Sequence, residues 1–351
     1  MALSLATEIP ETTTAIQVGR RRRARRRRVA VIVLAVALLV LMAAMLMLGN
    51  TIYPVEDVIG VILGEQVPGA SFTVGSLRIP RMIAGVLAGI AFGVAGTTFQ
   101  TLLRNPLASP DVIGITSGAS AAAVLCLVVL HWSAGATTVT ALVVGIATAA
   151  LIYAAARGGE STGGRLILIG IGVGAMLDAL VSFLIQRAAE WDVAVAMRWL
   201  TGSLNGSKWD GLLPLAVAVA VLVPVILLLS RDLRALELGD GSATALGVRV
   251  DRARLLLIVS AVALACFATA TTGPIAFVAF LAGPIAARIV GPGSSLTIPA
   301  ALTGAVLVLA ADLIGQFAFD VSFPVGVITG VLGAPYLLYL LIRTNRSGGS
   351  S

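Results

Sequence analysis

The feature that most constrains this chain is a succession of apolar runs, each long enough to cross a bilayer. A hydrocarbon core of about 30 Å is spanned by roughly 20 apolar residues in helical form. Ten such runs are legible, at approximately 29–48, 82–100, 112–130, 138–156, 166–185, 212–230, 253–271, 274–290, 298–319 and 324–342. Apolar residues make up 58% of the chain and charged residues only 12%, too few to coat a soluble surface or to keep a segment disordered. Backbone in lipid must satisfy its own polar groups, so runs of this length read as helices. The expected fold class is an all-α integral membrane protein of about ten transmembrane helices. Between the seventh and eighth runs stand little more than Thr272, Gly273 and Pro274, so that turn could also lie inside one long broken segment.

Arginine placement orients the chain. With the N-terminus inside, nineteen of the 24 basic residues fall on inward segments. These include the run Arg20–Arg23 and Arg25–Arg28. The outward segments carry Arg78, Arg81, Arg187, Arg198 and Lys208. The positive-inside bias therefore predicts both termini in the cytoplasm. The first apolar run is too long for a secretory signal and no small-residue cleavage site follows it, so it reads as a membrane helix with a positive anchor. Topology accounts for the arginine run without a nucleic-acid partner. The expected organisation is a basic tail over 1–28, a membrane domain over 29–343 and a short tail over 344–351.

Little here suits catalysis or metal binding. Cys126 and Cys266 both lie in apolar runs, and the single histidine, His131, sits beside Trp132 at the end of one. That set offers neither a disulfide framework nor a zinc site. A phosphate-binding loop of the G-x-x-x-x-G-K-[ST] kind needs a lysine after its glycine. The only lysine, Lys208, follows Ser207 on the outer side. No cofactor is expected on this chain, and if ATP drives it, another subunit hydrolyses the ATP.

The polar residues within the runs narrow the function. Asp178 and Asp312 are acids inside apolar runs, where charge is costly and marks either coupling to ions or a paired structural site. Gly85, Gly89, Gly93 and Gly96 share one face of the second run, as do Gly170 and Gly174 in the fifth; small residues let helices approach closely in lipid. Asn105-Pro106, Ser109-Pro110 and Gly283-Pro284 interrupt the pattern. Irregular backbone at membrane depth is tolerated where it is buried or lines a cavity. The largest inward polar segment, 231–254, reads as two short helices about Gly239-Asp240-Gly241, with apolar positions at Leu233, Leu236, Ala243 and Leu246. It is either a solvated linker or a docking surface for a soluble partner.

A set of ordered motifs resembles the FecCD-type permeases, membrane subunits of ABC importers for iron–siderophores, haem and cobalamin. The matching residues are Arg78-Ile79-Pro80-Arg81, then Gly96 and Gln100, Asn105-Pro106-Leu107-Ala108 and Gly114-Ile115-Thr116-Ser117-Gly118-Ala119. Further on come Trp199-Leu200-Thr201-Gly202-Ser203-Leu204, the pairs Leu238-Gly239 and Leu246-Gly247, Gly273-Pro274-Ile275-Ala276-Phe277-Val278, Pro324-Val325-Gly326 and Gly333-Ala334-Pro335. The resemblance covers about 50–343. It implies the type II importer permease fold, with halves related as inverted repeats. It also implies a second permease subunit, alike or related, an ABC ATPase dimer on the cytoplasmic side, and a siderophore-binding protein on the outer side.

By the same resemblance, Arg78 and Arg81 dock acidic residues of the binding protein. The segment 231–254 is the coupling-helix pair that receives the ATPase stroke. Arg157 and Arg165 flank a cytoplasmic gate, and Gly170, Gly174 and Gly326 lie on pathway-lining helices. Three positions depart from the family's habit. Ile285 follows Pro284 where a histidine is common, Gln316 stands where an arginine often does, and Ser322 replaces a common glutamate. These departures suit one half of a heteromeric pair. The function implied is vectorial import of a ferric siderophore, with haem or cobalamin as the alternative cargo. From a different class, a proton-coupled carrier would rest on Asp178 and Asp312.

Overall fold

A computed structural model describes residues 2–111, 114–156 and 162–348. Among these, every regular element is helical. The chain opens with α1 (Ala2–Met47), followed, on the side expected to face outward, by α2 (Val55–Ile62) and the single turn α3 (Ala70–Phe72). A π-helical segment, Thr73–Arg78, feeds directly into α4 (Ile79–Leu102). Then come α5 (Ile115–Val124) with a π-helical extension Leu125–Val129, α6 (Ala134–Ala156), α7 (Thr162–Gln186) and the short α8 (Glu190–Leu200). The second half contains α9 (Trp209–Leu228), the short pair α10 (Ser230–Glu237) and α11 (Asp240–Ala245), and α12 (Val250–Thr272). The last three are α13 (Val278–Val290), α14 (Thr297–Phe317) and α15 (Val325–Gly348).

All ten apolar runs fall on helices. Seven helical stretches are long and apolar enough to cross a membrane, while Ile115–Val129, Val278–Val290 and Val325–Leu340 are shorter apolar helices. The second span begins earlier than its apolar run, because helix runs unbroken from Ala70 to Leu102. Ser71, Thr73, Ser76 and Arg78 hide that extension from a hydropathy reading. The seventh and eighth runs are separate helices. Gly273 ends α12 with φ 72°, and Phe277 precedes α13 with φ 64°, both in the left-handed region that stops a helix. The α1 helix shows no break at residue 28, so the basic tail and the first span share one rod.

Helix α4 is the centre of the molecule, packed against α9, α12, α13 and α14. Its glycine face is the reason. A Cβ placed on Gly89 would lie 2.6 Å from the Gly304 carbonyl oxygen of α14, and Gly93 and Gly96 meet the backbone of Ala300 and Ala279 in the same way. Small residues at these positions bring backbones into direct contact, which drives association where lipid offers no hydrophobic contrast. The buried side chains of α4, including Phe92 and Phe99, fill the remaining space. Cys126 and Cys266 are buried and unpaired, and His131 lies at the exposed turn between α5 and α6, 3.8 Å from Asp192 of α8.

Candidate functional site

Two polar assemblies stand at opposite ends of α4. At the end expected to face outward, a cleft of about 680 Å³ is bounded by the α1–α2 turn, the start of α4, the α8–α9 loop and the α14–α15 turn. Its charged lining is Arg78, Arg81 and Arg198, with Asn205, Gln316 and Ser322 among the polar groups. Arg78 donates from Nη1 to the carbonyl oxygens of Leu46 and Met47 at 2.7 and 3.0 Å, and from Nη2 to that of Thr51 at 2.7 Å. It thereby caps the C-terminal end of α1, where helix carbonyls lack partners and the macrodipole favours a cation. The Tyr53 ring covers the guanidinium, 4.9 Å from centroid to Cζ.

Arg81 forks onto Asp312 of α14. Its Nε donates to Oδ2 at 2.9 Å and its Nη2 to Oδ1 at 2.8 Å. The Asp312 side chain is 1% exposed, against 21% for Arg81, and Gln316 Nε2 donates to Oδ2 at 2.8 Å. This pairing satisfies the buried carboxylate with charge-assisted, bidentate geometry and ties α4 to α14. Both arginines expected to dock a partner are therefore bonded within the chain, yet each still borders the cleft. Gln316, where the family often has arginine, serves here as a third donor to the same pair. Arg198, exposed on α8, joins the cleft without any motif to announce it.

At the opposite end, expected to face the cytoplasm, Arg104 follows α4 with φ 50°. Its Nε and Nη2 donate to the Leu236 carbonyl oxygen at 3.2 and 2.8 Å, capping the C-terminus of α10. Its Nη2 also lies 3.7 Å from Asp240 Oδ1, the atom to which Arg254 Nη2 of α12 donates at 2.7 Å. The α10–α11 joint is thus held by an arginine just past the end of α4 and one from α12. Gly239, at φ 107°, makes the turn between them. The apolar positions divide: Leu233, Leu236 and Ala243 are buried against the bundle, whereas Leu238 and Leu246 are each 66% exposed. Leu246, at the end of α11, is followed by Gly247, whose φ is 83°.

The remaining sequence-predicted residues have mixed placements. Arg157 lies outside the described residues. Arg165 is exposed near the start of α7. Gly170 and Gly174 are buried, packed against Gly114 at the entry to α5. Gly326 packs against Thr201 and donates its N–H to the Gly202 carbonyl at 3.1 Å. These three glycines close helix contacts within the chain. Asp178, by contrast, is exposed on α7.

The motif residues shape backbone. Asn105 Oδ1 accepts from the Leu107 N–H at 2.9 Å ahead of Pro106, Gly118 lets α5 meet Thr148 of α6, and Gly273 with Pro274 stacks on the Gly202 turn. Pro324 leads into α15 and Pro335 lies within it. Near the inner loop, burial pushes the Asp111 carboxyl up to about 6, a rise moderated by hydrogen bonds from Thr116 and Ser109.

The chain has clear relatives. The sequence pattern of the FecCD transport family, by that description, matches residues 36–343. The ferric enterobactin transport system permease protein FepG of Escherichia coli (strain K12) is 41% identical over 303 residues, 86% of this chain and 92% of that one. The achromobactin transport system permease protein CbrC of Dickeya dadantii (strain 3937) is 40% identical over 304 residues, 86% of this chain and 87% of that one. Among solved structures, a metal-chelate type ABC transporter in an inward-facing conformation superposes with a TM-score of 0.79 at 26% identity. That match covers 89% of this chain and 98% of the other.

Proposed function

Since the chain belongs to the FecCD transport family, we propose that it is the membrane subunit through which an ATP-driven importer moves a ferric siderophore into the cytoplasm. The observation that carries the cargo assignment is the 41% identity, across 86% of the chain, to a ferric enterobactin permease protein. The membrane is the cytoplasmic membrane of a bacterium, with both termini inside, as the arginine distribution favours. The ATPase dimer docks on the exposed Leu238 and Leu246 beside the α10–α11 joint. The siderophore-binding protein docks over the outer cleft, where Arg78, Arg81 and Arg198 set a positive field for its acidic residues. A second permease subunit completes the pathway; the departures at Ile285, Gln316 and Ser322 favour a related sister over an identical copy.

In this reading the chain does no covalent chemistry. Closure of the ATPase dimer displaces α10 and α11, and the arginine ties at Arg104 and Arg254 pass that displacement to α4 and α12. A proton-coupled carrier is disfavoured because Asp312, one of its two candidate acids, is already bonded to Arg81 and Gln316. Uptake of radioactive iron, presented as a panel of ferric siderophores to cells lacking and regaining this gene, tests the proposal. Loss for one chelator class, restored with the gene, is the expected result. Unchanged iron uptake across the panel overturns the cargo and moves haem or cobalamin forward.

A further inference from the structure

The arginine-rich stretch of α1 has a geometry that topology alone does not use. We infer that Arg20–Arg28 form a collar that binds the headgroups of anionic phospholipids in the cytoplasmic leaflet. The inference rests on the orientation proposed above and on four observations. First, the stretch is helical and continuous with the first span, α1 running from Ala2 to Met47. At 1.5 Å per residue the apolar part, Val29–Met47, is about 28 Å long, one hydrocarbon core. The arginines therefore occupy the next ~12 Å along the same rod, the depth of the headgroups and the water just beyond them.

Second, the collar is fixed in place. Arg26 Nε donates to the Ile289 carbonyl at 2.9 Å and Nη2 to that of Arg288 at 2.8 Å, capping the C-terminal end of α13. Gly291 leaves room for that guanidinium: a Cβ there would lie 2.8 Å from Arg26 Nη1. One arginine thus anchors the collar to the bundle. Third, the others are open. Arg20–Arg23, Arg25 and Arg28 are exposed and Arg27 is half-buried, and none forms an ion pair among the residues whose side chains are described, from Gln17 onward. Fourth, eight arginines within nine positions spread charge around the whole helix. A protein partner would read one face. An annulus of lipid meets every face except the one that Arg26 turns to α13.

Guanidinium suits this ligand, because its planar fork matches phosphate oxygens and it is always charged. Basic residues at the cytoplasmic end of a span are attracted to anionic lipid within about a Debye length of the surface. Binding there would hold the inner end of α1, and through Arg26 the α13–α14 turn, at a set depth while the neighbouring coupling joint moves.

The test uses the full chain reconstituted in phosphatidylcholine bilayers doped with spin-labelled phosphatidylglycerol or, separately, spin-labelled phosphatidylcholine. Electron paramagnetic resonance reads the motionally restricted fraction of each probe. Wild type is expected to restrict phosphatidylglycerol about threefold more than phosphatidylcholine, with the excess falling as salt rises. Equal restriction of the two lipids overturns the inference without any variant. A variant with Arg20–Arg23, Arg25, Arg27 and Arg28 all changed to Gln, keeping Arg26, is expected to lose most of the excess. Retention of the excess in a correctly inserted variant also overturns it, as does loss of ATPase co-purification with lipid selectivity intact, which would assign the collar to a protein. If the Gln variant fails to insert, the corresponding Lys variant replaces it and must keep the excess. The readout is independent of cargo and of which leaflet the collar meets, so its failure leaves the transport assignment standing.

Discussion

The Asp312 carboxylate sits beneath the outer cleft with Arg81 forked onto both oxygens and Gln316 on one of them. Removing its charge leaves a guanidinium at the end of α4 without its counter-ion. Asp312→Asn is expected to destabilise the protein by about 2–3 kcal/mol, less than the ~3–5 kcal/mol of a fully buried broken pair because Arg81 still reaches the cleft. Thermal unfolding of the purified chain in detergent checks this, and Arg81→Met with Asp312→Leu together should recover much of the loss. Asp111 gives a pH dependence of the opposite kind from a salt-bridged acid. Its carboxyl is raised from 3.8 to about 6, so the native state binds the proton more tightly than the unfolded chain does. The stability this proton provides is complete below about pH 4 and is lost as pH rises through 6. Asp111→Asn, which stays neutral, is expected to raise the melting temperature at pH 7.5 by roughly 2–4 °C, and to lose that advantage near pH 4. At this scale the sequence was only partly legible. That an acid in the ninth apolar run was either paired or ion-coupled followed from the cost of charge in lipid. Its partner did not, because Arg81 lies 231 residues away and only the packing of α4 on α14 joins them.

At the scale of elements, α10 and α11 show why a spacing pattern needs the fold to interpret it. The apolar positions of 231–254 give each of the two short helices a small greasy face about the turn at Gly239, but do not say which positions the bundle covers. Leu233, Leu236 and Ala243 attach the pair to the bundle, leaving Leu238 and Leu246 exposed. Arg104 itself was counted only as an inward charge; its reach to the Leu236 carbonyl depends on a left-handed backbone that no motif announces. Since it binds the joint and not the ATPase, Arg104→Ala is expected to keep ATP hydrolysis by the assembled complex near wild type. Transport driven by that hydrolysis should fall about tenfold, equivalent to ~1.4 kcal/mol of lost coupling. A parallel fall in both would instead make the arginine a general support of assembly. The helices were largely legible because a run of apolar residues as long as a bilayer has few other uses. The short α8, the turn α3 and the extension over Thr73–Arg78 were not, since polar side chains at the outer surface carry no strong period.

Taken as a molecule, the chain places one polar assembly at each end of α4, with its glycine face packed on α13 and α14 between them. Close backbone contact makes that rod stiff, so displacement at Arg104 need not dissipate before it reaches Arg81 and the outer cleft. The family was legible from the order of its motifs. Much of what those motifs do became clear only in three dimensions: Arg78 caps α1, Gly273 stacks on the Gly202 turn, and Gly170 and Gly174 seat α5. Several residues that mark the family are thus structural in a single chain, and in the proposed assembly a second permease subunit completes the pathway. The central claim is that this chain carries cargo only when coupled to a separate ATPase. It is tested most directly in proteoliposomes containing the complete complex, with a ferric siderophore and its binding protein outside and ATP supplied to the ATPase side. The account predicts accumulation of iron inside that requires ATP and the binding protein and is indifferent to an uncoupler. Accumulation driven by a proton gradient with no ATPase present would contradict it.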